Sequence, residues 1–209
     1  MQQAAMRSIM AGDLGRDGAY RLLNSLVVPR PIAWVSTVSA AGLANVAPHS
    51  YTTIASVDPP MLLFVSVGEK DTVRNLGEVP EFVVGIVDEA LAERMNVTAA
   101  SAPPAASEFE LAGLDALPST VVQVPRVADS PASLECTVEQ VVPLGSDPAY
   151  VIIGEVRAIH VREDLMTDRG IVDQERIRAI ARMGANTYAR TTDRFDMVRP
   201  TYDEVIGAS

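Results

Sequence analysis

A lysine, a threonine and an asparagine share one short charged turn, Lys70-Asp71-Thr72-Val73-Arg74-Asn75. An ammonium and a hydroxyl complement phosphate oxygens, and a turn N–H adds a further bond. Lys70 and Thr72 are therefore the candidates for holding a phosphate, with Asp71, Arg74 and Asn75 beside them. Taken alone, the same turn also reads as a solvated loop with a helix cap. Upstream lie an apolar run, Ile32-Ala33-Trp34-Val35, a small-hydroxyl exit, Ser36-Thr37, and the stretch Asn45-Val46-Ala47-Pro48-His49-Ser50; a second apolar run, Met61-Leu62-Leu63-Phe64-Val65, follows. A flat heteroaromatic ring needs an apolar slot edged with a few donors. The span from Pro29 to Asn75 supplies such a slot and a phosphate site together.

Each of these residues also has a plainer reading. Ser36, Thr37, Asn45 and Ser50 flank apolar segments, where small polar residues commonly serve turns and caps. Trp34, the only tryptophan, either fills the core, since an indole buries a large apolar area, or stacks on a bound ring and excludes water. Ala47 leaves room for backbone to meet a ring edge. His49 and Thr52 are placed to reach its polar edge, although His49 equally fits a surface. His160 ends a strand and reads as structural or exposed. Two histidines and one cysteine without His-x-x-x-His spacing argue against a protein metal site. The Gly-x-Ser-x-Gly elbow of a serine hydrolase, the Gly-x-Gly-x-x-Gly fingerprint and the P-loop are all missing.

The elements that must position these residues read as follows. Residues 1–19 are poorly patterned and glycine-interrupted, an arm. Tyr20 to Val28 has helical apolar spacing, stopped by Pro29-Arg30-Pro31. Ile32 to Val38 is a strand, Ala40-Ala41-Gly42 turns, and Leu43 to Val46 returns, with Pro48 expected to break the ladder. Asp58-Pro59-Pro60 turns into a strand over Met61 to Val67. A short helix is expected over Val73 to Leu76, capped by Asp71-Thr72 and closed by Gly77. Glu81 to Val87 is a strand, Asp88 to Val97 a helix, Ala99 to Ala106 a loop, and Glu108 to Ala112 one helical turn. Val121 to Val127 should be extended, and Pro131 to Val142 and Tyr150 to Val161 should be long strands. A helix is expected over Asp173 to Met183, a turn over Gly184 to Arg190, and extended chain over Phe195 to Val198. Many strands with few long helices favour a closed or nearly closed barrel.

At 209 residues, 48% apolar and 21% charged, the chain fits one domain, and no repeat or linker divides it. A net charge of -10 argues against nucleic acid or an anionic membrane as partner. An anionic cofactor must then be held by local cations such as Lys70. The single cysteine, Cys136, rules out a disulfide within the chain and suits a reducing cytoplasm. No run reaches the roughly 18 apolar residues of a spanning helix, and the start lacks a leader pattern, so a soluble, untargeted protein is expected.

The ordered series RPIAWVST, NVAPHSYTT, DPPMLLF, KDTVRN and EFVVGIV resembles the flavin reductase-like proteins, a family of FMN-binding split-barrel proteins that includes reductase components of two-component monooxygenases and flavoredoxin. The likeness runs from about Tyr20 to Pro200. It implies a mainly β fold with peripheral helices, a Greek-key split barrel over 20–200 with a tail over 201–209, and a homodimer. It implies FMN as cofactor, with NAD(P)H as possible electron donor and a monooxygenase or redox protein as possible partner. By the same likeness Trp34, Ser36, Thr37, Asn45, Ala47, His49, Ser50, Thr52, Lys70, Asp71, Thr72 and Asn75 are the cofactor-binding positions. Arg182 and Tyr188, in the element ARMGANTYAR, resemble a late Arg-x-Gly…Tyr element able to cover the flavin or a neighbouring subunit.

One position departs from the family. Several of its reductases carry a Gly-Asp-His-like element with the histidine near the nicotinamide, and here Ala149, in Ser146-Asp147-Pro148-Ala149-Tyr150, occupies that place. Three readings therefore stand. They are an FMN-dependent NAD(P)H oxidoreductase, a flavoredoxin-like carrier reduced by a protein partner, and a non-catalytic FMN-binding module.

Overall fold

The computed structural model describes residues 4–103 and 106–207. The ends of the expected arm and tail, and Pro104 and Ala105 of the expected loop, lie outside the described residues. In chain order the regular elements begin with α1 (Arg16–Leu26), β1 (Ala33–Val38), β2 (Ala44–His49), β3 (Thr52–Val57), β4 (Pro60–Val67), α2 (Asp71–Glu78) and β5 (Glu81–Gly85). There follow α3 (Ala92–Val97), α4 (Glu108–Leu111), β6 (Ala116–Leu117), β7 (Arg126–Val127), β8 (Ala132–Leu144), β9 (Ala149–Val161), β10 (Ile180–Arg182), β11 (Tyr188–Arg190) and α5 (Tyr202–Ile206).

Seven strands form one antiparallel sheet in the order β2-β1-β5-β8-β9-β4-β3. The sheet curls until its two ends come close: only Ser50 and Tyr51 separate β2 from β3, and His49 on β2 brings its Nδ1 to 3.3 Å from the Val65 carbonyl oxygen on β4. This is the split barrel, mainly β with few helices. Side chains alternate across a strand, and β1 shows the result. Ala33 and Val35 join Phe64, Leu76, Phe82, Val84, Cys136 and Ile152 in one apolar cluster, while Ile32 and Trp34 join Val46, Leu91, Met95 and Phe109 in another under α3 and α4. Both faces of β1 are thereby covered, and all six of its residues are buried.

Several local expectations are corrected. Pro48 does not break the ladder, because β2 is an edge strand and Pro48 pairs with Trp34 there, where no second neighbour needs its missing N–H. Gly77 lies inside α2, and Lys70 rather than Asp71 or Thr72 is its N-cap. Thr52–Val57, for which the sequence gives no clear strand signal, is the outer strand β3. Asp173 to Met183 forms no long helix. Its backbone is taken by distant partners, Ile180 N–H by the Val87 carbonyl at 3.0 Å and Arg182 N–H by the Arg30 carbonyl at 2.8 Å. The expected extended run at 121–127 shrinks to β7, since the N–H groups of Thr120 and Val121 turn to the buried Glu135 carboxylate, both at 2.7 Å. Phe195 to Val198 has no regular structure, and α5 follows it with a Thr201–Glu204 capping box.

Candidate functional site

Where the sheet ends meet, α1, the β2–β3 link, the start of α2, the segment after α3 and the β10–β11 hairpin enclose a cavity of about 970 Å³. Of the sequence candidates, Asn45, Ala47, His49, Ser50, Lys70, Asp71, Thr72, Arg182 and Tyr188 line it, with Arg74 and Gly184. Trp34, Ser36, Thr37, Thr52 and Asn75 do not.

The absent five have identifiable structural work instead. Trp34 is fully buried, and its Nε1 donates at 2.9 Å to Thr98 Oγ1, so it braces a cavity wall from behind rather than facing a ring. Asn75 Nδ2 donates to Thr37 Oγ1 at 3.0 Å, Thr37 donates on to Asn45 Oδ1 at 3.4 Å, and Asn45 Nδ2 donates to Glu108 Oε2 at 2.8 Å. This chain of buried polar groups orients Asn45 from α2, β1 and α4. Ser36 Oγ donates to the Pro125 carbonyl at 2.7 Å and Thr52 Oγ1 to the Leu63 carbonyl at 2.7 Å, both away from the cavity.

The charged end of the cavity is the start of α2. No side chain caps this helix, so the N–H groups of its first turn are left for solvent or a ligand, and the helix dipole adds positive potential there. Lys70 and Thr72 stand at the same point. Asp71 is occupied by an ion pair with Arg74. Although the whole chain is acidic, the lining carries Arg21, Arg30, Lys70, Arg74 and Arg182 against Glu69, Asp71 and Glu108. Burial holds the Glu108 carboxyl above the usual carboxylate range, which weakens that opposing charge further. An anion is thus drawn to this cavity by local charge against the overall field.

His49 lies between Val65 and Thr72, with its Nδ1 3.3 Å from the Val65 carbonyl oxygen and its Nε2 3.4 Å from Thr72 Oγ1. The Phe64 ring sits 4.8 Å away, centroid to centroid. Burial, opposed by the Val65 contact and aided by the Lys70 charge, pushes the imidazole down to about 4, so it is neutral at pH 7.

Sequence reading missed Arg30. Its guanidinium is buried and donates to the carbonyls of Asn24 at 3.0 Å, Val27 at 2.7 Å and Met183 at 3.0 Å, with Nε 3.5 Å from Ser50 Oγ. The same group lies over the Tyr51 ring, and the Tyr51 hydroxyl accepts from Asn24 Nδ2 at 2.6 Å. The available signal was the arginine held between two prolines that cannot donate. Asn96 was also missed; its Oδ1 accepts from the Tyr188 hydroxyl at 3.3 Å, and Arg182 lies over the Tyr188 ring. Ala149 does not line the cavity; it opens β9 opposite Val67, which does.

Other titratable groups lie elsewhere. His160 Nε2 is 2.6 Å from Glu135 Oε1 on the β8–β9 side. Burial pushes the Cys136 thiol up to about 12, leaving it inert at neutral pH. Among the described residues no group of three or more His, Cys, Asp or Glu side chains is gathered as a metal would require. No helix among them is long and apolar enough to cross a membrane.

A split barrel with an anion-attracting cavity at the junction of its sheet ends defines the class. The chain belongs to the flavin reductase like domain family, whose pattern it matches over residues 25–201. It is 44% identical over 201 residues to an uncharacterised protein of Halalkalibacterium halodurans, covering 91% of this chain and 95% of that one. Among solved structures it resembles nitrilotriacetate monooxygenase component B from Bacillus cereus, with a TM-score of 0.89, 36% identity, and coverage of 93% of this chain and 100% of that one. It also resembles 2-nitrobenzoate 2-nitroreductase from Pseudomonas fluorescens, with a TM-score of 0.88, 34% identity, and coverage of 94% and 98%.

Proposed function

We propose that this protein is an FMN-binding oxidoreductase that passes electrons from NAD(P)H to an acceptor, acting as a cytoplasmic homodimer built from a single domain over 20–200. One observation carries the reading: in a chain of this family, one cavity joins an uncapped helix start bearing Lys70 and Thr72 to the free edge of β2 at Ala47 and Pro48. A phosphate fits the first and the edge of a heteroaromatic ring fits the second.

In this reading Lys70, Thr72 and the first-turn N–H groups of α2 hold the phosphate, with Ser50 beside them. Asn45 and the Ala47–Pro48 backbone meet the ring edge, and Arg182 and Tyr188 cover it. Bound FMN supplies the two-electron chemistry, and the chain's residues orient it and exclude water. The similar proteins named above are a monooxygenase component and a nitroreductase, which supports an acceptor that is either a monooxygenase partner or a small molecule. Exposed apolar side chains on β3 and in the segment before α5, Ile54, Val57, Phe195, Met197 and Val198, support a second copy of the chain as partner; a monomer by light scattering contradicts that part.

Ala149, standing where the family's reductases carry a histidine, favours a second reading, in which a redox protein rather than a nicotinamide delivers the electrons, as in a flavoredoxin-like carrier. An anaerobic absorbance titration separates the two. The protein should take up added FMN, and NADH or NADPH should then bleach the bound flavin. Failure to take up FMN ends both readings, and uptake without bleaching by either nicotinamide ends the first and leaves the carrier beside a non-catalytic FMN-binding module.

A further inference from the structure

His49 and Thr72 share a single hydrogen, and this limits what Thr72 can offer a ligand. The Val65 carbonyl only accepts, so the imidazole must carry its proton on Nδ1, which lies 3.3 Å from that oxygen. The neutral ring then presents a bare Nε2, 3.4 Å from Thr72 Oγ1, and the threonine hydroxyl must donate to it. In that state the Thr72 oxygen shows only lone pairs to the cavity. A phosphate dianion is likewise only an acceptor, so the two repel. Turning the hydroxyl to the phosphate would leave a buried Nε2 without a partner, an unfavourable arrangement.

A protonated ring removes the conflict, because Nε2–H donates to Thr72 Oγ1 and the hydroxyl is free to donate to the phosphate. Of the neighbouring charges Lys70 opposes that ring before a ligand arrives, while the others come in both signs. From α2 and the residue before it come Lys70, Arg74 and Asp71, the last two paired with each other; Glu69 precedes them. From α4 comes Glu108, bonded to Asn45, and from the segment before β1 comes Arg30 behind Ser50. The link to β3 brings Tyr51, while β4 brings only the Val65 carbonyl and the Phe64 ring. With burial favouring the neutral ring, a phosphate is the negative charge that can hold the imidazolium.

We propose that a phosphorylated flavin enters this site together with one proton taken from solvent, which is held at His49 Nε2 while the Thr72 hydroxyl turns to the phosphate. The new N–H forms as the proton leaves hydronium or a buffer acid, and no other covalent bond is made or broken. The proposal rests on the reading that Lys70 and Thr72 hold the flavin phosphate. It makes His49 and Thr72 a device that distinguishes phosphorylated from unphosphorylated flavin.

The test is titration calorimetry at pH 7 in two buffers of different ionisation heat, with FMN and with riboflavin. Uptake approaching one proton per FMN and none for riboflavin is expected, and FMN affinity should fall by up to about tenfold per pH unit above neutrality. His49→Gln, whose amide always donates, and Thr72→Val should each abolish the uptake. An imidazole nitrogen spectrum of the wild-type protein should show the His49 ring turning to imidazolium when FMN, not riboflavin, is added, and needs no variant to fold. FMN binding without proton uptake overturns the proposal, as does uptake that persists in His49→Gln, which puts the proton on the phosphate. A protein that binds neither flavin overturns the parent reading and this one with it.

Discussion

The Arg30 guanidinium donates to the Met183 carbonyl at 3.0 Å, tying the entrance to β1 to a turn 153 residues later. Its other bonds reach the last turn of α1 and approach Ser50, so one side chain draws three walls of the cavity together. All of these acceptors are neutral, which leaves the positive charge uncancelled beside the cavity.

Arg30→Met should therefore loosen the cavity as well as remove its charge. Three carbonyls lose a charged donor, and a loss of about 2–4 kcal/mol of stability is expected. Arg30→Lys should recover only part of it, because an ammonium cannot reproduce the guanidinium fork. Thermal unfolding of the two variants checks this, and equal stability of Arg30→Met and wild type contradicts it.

Lys70→Met should weaken FMN binding by roughly tenfold to a hundredfold, the equivalent of about 1.5–3 kcal/mol for a charge-assisted bond to phosphate. Riboflavin binding should stay close to wild type. Fluorescence quenching titrations with both flavins decide the matter, and parallel loss of both would place Lys70 at the ring rather than the phosphate.

Gly154→Ala should destabilise the barrel. A Cβ at Gly154 would lie 2.3 Å from Phe82 Cζ and 3.2 Å from the Thr137 carbonyl oxygen. Phe82 cannot retreat, being fully buried with Phe64 packed edge-on at 5.3 Å. A loss of about 1–3 kcal/mol is expected from overpacking, read by denaturant titration; a neutral result would mean the barrel widens freely there.

Glu135 should set part of the acid limb of stability. Burial raises its carboxyl, but bonds from the Thr120 and Val121 N–H groups and from His160 outweigh that and hold it below the usual carboxylate range. A carboxyl depressed in the folded state contributes stability above its unfolded value and loses it as pH falls through the folded one. Glu135→Gln should thus cost about 1–3 kcal/mol at pH 7 and should show a shallower fall in stability below pH 5. An unchanged acid limb in the variant would show that Glu135 does not contribute.

Much of this was legible in the residues. Ile32 to Val38, Met61 to Val67 and the two long strands β8 and β9 carry strong β-forming runs, and Asp88, where the helix to Val97 is expected to begin, accepts from Leu91 N–H at 3.0 Å. The turn from Lys70 to Arg74 reads by its chemistry either as a phosphate site or as a solvated cap, and it is the resemblance to the flavin reductase-like family that singles it out together with the Asn45 to Ser50 stretch. The sequence leaves Trp34 open between the core and a bound ring, because a strand's alternation does not say which face looks at which neighbour. Asp173 to Met183 was misjudged because its helical spacing is local, whereas its backbone partners, Val87 and Arg30, lie far away in sequence.

The division has a physical cause. Turn chemistry, capping residues and apolar runs act within a few residues, and these indicate a mainly β chain with a charged turn between two of its strands. The cavity itself arises where the two ends of a curled sheet come together, and its walls are drawn from segments that share no local pattern. Pairing over that distance decided that Arg30 faces the site, that Trp34 stands behind it, and that His49 and Thr72 meet over one hydrogen.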